Sequence, residues 1–90
     1  MSGVTKGEKI DARTVVGKTV VGKSGKKIGV VSDLVYEVRT GELVYLTVRN
    51  ATSYANTFQF EKDNNGNEQI PYNAVISVGD FVVVAEEEII

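Results

Sequence analysis

Across residues 18–49, KTVVGKSGKKIGVVSDLVYEVRTGELVYLTVR, apolar residues come in short runs separated by polar, glycine-containing breaks. Residues 19–21 are β-branched, 27–38 form a long alternating run, and 43–49 form a third. The breaks Lys23-Ser24-Gly25-Lys26 and Arg39-Thr40-Gly41-Glu42 are turn chemistry, with Gly25 and Gly41 placed where a tight turn needs positive φ. Three strands joined by two such turns predict an antiparallel meander. In the long strand the even positions Ile28, Val30, Ser32, Leu34, Tyr36 and Val38 are expected to face the core, opposite Gly29, Val31, Asp33, Val35 and Glu37. Val31 and Val35 leave this second face more apolar than solvent requires, and Leu43, Tyr45 and Thr47 oppose Val44, Leu46 and Val48 in the next strand. Two partly apolar faces predict a curled or closed sheet with something packed outside it, either the C-terminal segment or a second subunit.

The pattern continues more weakly on both sides. Residues 1–9 lack periodicity and are expected to be a flexible leader. Residues 10–17 predict one helical turn, with Asp11 as N-cap and Gly17 as the stop. Residues 50–56 read as a loop, whose Asn50-Ala51-Thr52 is a formal glycosylation acceptor of little weight without a secretory signal. Phe58-Gln59-Phe60 is expected to pair with Glu68-Gln69-Ile70 across an Asn-Gly turn. Asp63, Asn65 and Asn67 stand at alternate positions there, as in a calcium loop, but the following glycine and the bidentate glutamate are missing. Pro71 should end a strand and open a short turn. Ile76-Ser77-Val78 and residues 81–85 then flank the turn pair Gly79-Asp80. The tail, residues 86–90, reads as a frayed end, with a short docking segment as the alternative. The barrel domain is thus expected over residues 10–85.

Composition narrows the chemistry. Ninety residues with 42% hydrophobic and 24% charged content suit one modest core. Cysteine and histidine are both absent, which removes disulfides, thiolate and imidazole metal sites and the usual general base near pH 7. No run reaches a membrane span and no signal-peptide core is present, so a cytoplasmic protein is expected. A net charge of −2 opposes general nucleic-acid binding. The charge is unevenly spread, however. Residues 1–30 carry seven Lys or Arg against two acids, and residues 31–90 carry three against ten. This polarity could orient association.

Several segments together resemble the PRC-barrel family. They are residues 17–21 (GKTVV), 25–34 (GKKIGVVSDL), Thr40-Gly41-Glu42-Leu43 with Leu46 and Val48, Ile70-Pro71-Tyr72, and 78–84 (VGDFVVV). The resemblance implies an all-β fold, a small, highly curved antiparallel β-barrel of about six strands. Gly25, Gly29, Asp33, Gly41, Pro71, Gly79 and Asp80 are its structural motif residues. The chain is most similar to stand-alone archaeal members, some of which act as cell-division adaptors linked to the SepF-type anchor of the FtsZ ring. The resemblance further implies a non-enzymatic adaptor without cofactor, forming a homodimer or larger species. Its partner would be a SepF-type protein or a PRC-barrel paralogue, and it would be recruited from the cytoplasm to the division site. Candidate interface residues are Val31, Val35, Tyr45, Tyr54, Phe58 and Phe60, although core packing is the favoured explanation for each. The alternative is a ribosome-maturation factor that docks ribosomal protein or RNA through Lys18, Lys23, Lys26 and Lys27. Catalysis by Asp33, Asp80 or Glu37 is the remaining reading, set against simple bonding of Asp33 and Asp80 to turn backbone.

Overall fold

The computed structural model describes residues 4–5, 12–58 and 60–89. Within them are eight strands: β1 (Val4–Thr5), β2 (Thr19–Gly22), β3 (Lys27–Tyr36), β4 (Leu43–Arg49), β5 (Glu61–Lys62), β6 (Glu68–Pro71), β7 (Val75–Val78) and β8 (Phe81–Val84). The one α-helical turn is α1 (Ala12–Val15), stopped by Gly17 at φ +95°. The expected cap Asp11 lies outside the described residues. Two residues of the expected leader, Val4 and Thr5, pair with Val78 and Ser77. Six strands have four or more residues, which matches the expected number.

The sheet order is β1-β7-β8-β2-β3-β4-β6-β5. β6 and β7 therefore stand five ladder steps apart, roughly 24 Å in a flat sheet. Only the 3₁₀ turn Tyr72–Ala74 joins them, and four residue steps reach at most about 14 Å. The sheet must curl until β6 and β7 nearly meet, and the Ala85 N–H donating to Ala74 O at 2.7 Å extends the β7–β8 ladder into the turn that joins them. The β2-β3-β4 meander is antiparallel as expected. β2 and β8 pair in parallel, Thr19 with Phe81 through Gly22 with Val84, so the expectation of a wholly antiparallel barrel is corrected at this ladder.

Inward residues from β2, β3, β4, β6, β7 and β8 form one core that includes Val20, Ile28, Val31, Leu34, Leu46, Ile70, Val75 and Val82. β3 corrects the expected even-position core face. Bulges in its ladders with β2 and β4 put Ile28, Val31 and Leu34 inside and turn Val30 outward. Val31 is 0% exposed and so is core, not partner surface. The strand also ends at Tyr36, with Val38 95% exposed on the turn. Gly29 is buried because a Cβ there would meet Val48 and lie 2.9 Å from Arg49 O. The absent side chain lets β4 and the following loop close over β3.

The second hairpin is shifted from expectation. Glu61 and Lys62 pair with Gln69 and Glu68, whereas Phe58 and Phe60 belong to no strand and Gln59 lies outside the described residues. The aromatic rings account for the shift. Tyr54 meets Phe58 edge-on at 5.2 Å, Phe58 meets Phe60 at 5.8 Å, and Tyr54 and Phe60 pack on the core, an arrangement that favours ring burial over ladder formation. The hairpin tip is a plain turn in which Asp63 Oδ1 accepts the Asn65 and Asn67 N–H groups at 2.9 Å and Gly66 has φ +82°. Among the described residues no three His, Cys, Asp or Glu side chains are placed to hold a metal.

Candidate interaction surfaces

Ladder register defines the outside of the sheet as well as the inside. Residues paired across consecutive strands share a face, so Phe81, Thr19, Val30 and Arg49 form one outward row over β8, β2, β3 and β4. Ser77, Val83, Val21 and Lys27 form the next outward row. The row between them, Val78, Val82, Val20 and Gly29, points inward and is buried. Phe81 is 53% exposed, and Thr19, Val21, Val30, Ser77 and Val83 are half-buried. The middle of the sheet thus turns an apolar strip outward, bounded by the cations Lys27 and Arg49. On this half of the sheet α1 reaches β3, and the neighbouring Val16 is also exposed.

A different surface lies at the far end of β3. Val35 pairs with Tyr45 and Tyr45 with Pro71, an outward row that borders an open groove of about 410 Å³. Glu37 and Glu42 supply its acid groups, and Leu43, Val44 and Tyr72 supply apolar wall. Val44 is the residue left over where the β3–β4 register shifts, which exposes it. The Tyr45 hydroxyl donates to Glu61 at 2.9 Å, and that carboxylate holds the phenol above its ordinary pKa.

The third feature is built by the tail. Residues Glu86–Glu88 form a 3₁₀ turn after β8 that lies over the β2–β3 turn, and Ile89 packs against the core. The tail is docked, so the expectation of a frayed end is corrected. Its centre is the Glu86 carboxylate. Oε2 accepts the Tyr54 hydroxyl at 2.6 Å and the Ser24 hydroxyl at 2.8 Å, and Oε1 accepts the Lys23 N–H at 2.8 Å, a donor it shares with Val84 O. The Tyr54 hydrogen bond first, then those from Ser24 and Lys23, hold Glu86 at a pKa of about 2, against some desolvation. The same carboxylate raises the Tyr54 phenol. Lys23 Nζ pairs with Glu87 at 2.8 Å, and Lys26 Nζ stands 5.0 Å from the Tyr54 ring centre. Gly22 forms the floor. A Cβ there would overlap the Glu86 carboxylate, so only glycine leaves room for it.

The expected interface residues scatter across these features. Val31 is core. Val35 and Tyr45 lie together beside the acidic groove. Tyr54, Phe58 and Phe60 form the aromatic run, and the Tyr54 hydroxyl is bonded to Glu86. Asp33 Oδ1 accepts the N–H of Leu34 at 2.8 Å, which is the backbone-bonding role weighed against catalysis. Sequence reasoning misses Glu86, Ser24, Gly22 and Phe81. The three consecutive glutamates and the two lysines of the β2–β3 turn, Lys23 and Lys26, are a complementary pair of signals for the tail contact, but nothing local links them.

Comparison with known proteins agrees with this architecture. The family model described as the PRC-barrel domain matches residues 7–88. An uncharacterized protein of Methanocaldococcus jannaschii is 32% identical over 79 residues, covering 88% of this chain and 84% of that relative. No helix among the described residues is long and apolar enough to cross a membrane.

Proposed function

The chain belongs to the PRC-barrel domain family, and on that premise we propose that it is a non-enzymatic protein–protein adaptor that associates with copies of itself. The observation that carries this reading is the outward apolar strip centred on Phe81, which is 53% exposed in the middle of the sheet. A large aromatic side chain in such a place gains free energy when a second surface covers it. Cations at one margin of the strip and acids in the groove at the far end of β3 give two copies a preferred relative orientation. The archaeal relative supports an archaeal setting. The reading extends to the cell-division machinery, with a SepF-type protein or a PRC-barrel paralogue as partner and the protein recruited from the cytoplasm to the division site.

Light scattering on the purified chain tests the self-association. The wild type is expected to be a dimer or larger, and Phe81→Glu a folded monomer whose melting temperature no longer depends on concentration. A monomeric wild type at high concentration overturns the proposal. Pull-down from the native host tests the setting, since recovery of division proteins supports it and recovery of ribosomal proteins replaces it with the maturation-factor reading. That alternative has less support, because Lys23 is engaged by Glu87 and Lys26 by the Tyr54 ring.

A further inference from the structure

The contacts around Glu86 have the form of a receptor whose own chain supplies the ligand. Apart from Glu86's own backbone N–H, the donors to the carboxylate come from outside the tail, from Lys23 and Ser24 on the β2–β3 turn and from Tyr54 on the loop after β4. Those elements are held by bonds in which the tail has no part. Gly22 N–H donates to Lys26 O at 2.9 Å and Gly25 N–H to Gly22 O at 2.9 Å, while Thr52 donates its N–H to Ile28 O at 2.9 Å and its hydroxyl to Lys27 O at 2.6 Å. The tail, by contrast, joins no ladder. It is kept by one carboxylate, one exposed ion pair, the Ile89 side chain and packing against the Tyr72–Ala74 turn. Removing it would leave a preformed cradle of one N–H and two hydroxyls over a glycine floor, with Lys23 and Lys26 alongside.

We infer that this cradle is a binding site for an acidic protein segment, in which a glutamate of the partner displaces Glu86 and a neighbouring acid takes Lys23. The chemistry selects that class. Two hydroxyls that meet at one oxygen and an N–H that reaches the other suit a carboxylate. The glycine floor leaves space for its two oxygens. The flanking ammonium groups favour a run of acids over a single one. Because the tail competes from a tethered position, wild-type affinity for a short segment in trans is low and rises when Glu86 is removed. This site is separate from the Phe81 strip and does not depend on self-association.

The test is an amide NMR titration of the full chain with a capped peptide of sequence AEEEII, in wild type and in Glu86→Ala. The expected result is saturable shifts at Lys23, Ser24 and Tyr54, with affinity at least about tenfold higher in Glu86→Ala, and loss of that gain when Ser24→Ala and Tyr54→Phe are added. A capped AQQQII peptide should not shift these amides. Absence of shifts in a folded Glu86→Ala protein, or equal response to both peptides, overturns the inference. Should Glu86→Ala not fold, Glu86→Gln keeps the side-chain volume while giving up the charge, and the same outcomes decide; Gly22→Ala, whose methyl group fills the cradle, should abolish the shifts. Failure of Phe81→Glu to dissociate the protein would leave these shifts unchanged, so the two proposals fail separately.

Discussion

The two ends of β3 are finished in opposite ways. At the β3–β4 end the turn is closed by its own residues. Glu37 N–H donates to Glu42 O and Gly41 N–H to Glu37 O, both at 2.8 Å, and the Glu37 and Thr40 side chains accept from Arg39 and Glu42 N–H groups. Val38 stands almost wholly in solvent. At the β2–β3 end the turn is completed by residues more than sixty positions away, as the Ser24–Glu86 and Lys23–Glu87 contacts are. The first end is a self-contained hairpin tip left open beside an acidic groove. The second is a basic turn capped and neutralised by an acidic tail. Local closure therefore leaves a surface free, whereas long-range closure occupies one.

The largest test removes the support shared by both ends. Leu34→Asp places a carboxylate in the core and should cost about 4 kcal/mol or unfold the chain, whereas Glu37→Lys on the open turn should stay within about 0.5 kcal/mol. Thermal melts of the two variants showing the reverse order would mean that the faces of β3 are misassigned. Next in size is Gly29→Ala. Its methyl group must displace Val48 and the Arg49 carbonyl, so a loss of about 2 kcal/mol by denaturant titration is expected.

A smaller effect separates the ends by pH. Glu86 has a depressed pKa in the folded chain, so its contribution is complete above its ordinary value and is lost as pH falls toward about 2. The stability difference between wild type and Glu86→Gln should be about 1 kcal/mol near neutrality and vanish in strong acid, because the site is only partly shielded from solvent. No difference at any pH would show that the Glu86 carboxylate does not hold the tail. The smallest expected effect is at the open end. Val38→Asp should leave the melting temperature unchanged, and a measurable fall would reveal a cover over that turn.

The same contrast explains what is legible in the sequence. The meander can be read because Gly25 and Gly41 adopt the positive φ their positions require and because each turn closes on its neighbours. The inner face of β3 cannot be read by alternation. A bulge inserts one residue without changing composition, and the bulges along β3 carry Val31 from the expected outside to the inside. The parallel ladder of β2 with β8 and the seating of Glu86 depend on residues about sixty apart, where no periodicity operates. The ring of Tyr54 stands out along the chain, while its hydroxyl, which does the binding, gains meaning only beside the tail. The outer strip is foreshadowed by excess apolar residues on both faces, but Phe81 is hidden within a run that reads as core.

The parallel pairing of β2 with β8 has a consequence for how the chain is made. β2 is among the earliest strands to leave a ribosome, yet one of its edges has no partner until Phe81–Val84 follows. At typical synthesis rates the intervening sixty residues take roughly 3–12 s. Throughout that interval a β-branched edge, Thr19-Val20-Val21, stands open next to other nascent chains. The barrel is therefore slow to close by topology, with a large loop to shut before its central ladder forms. Its most vulnerable moment should be birth, when overproduction would divert chains into aggregates.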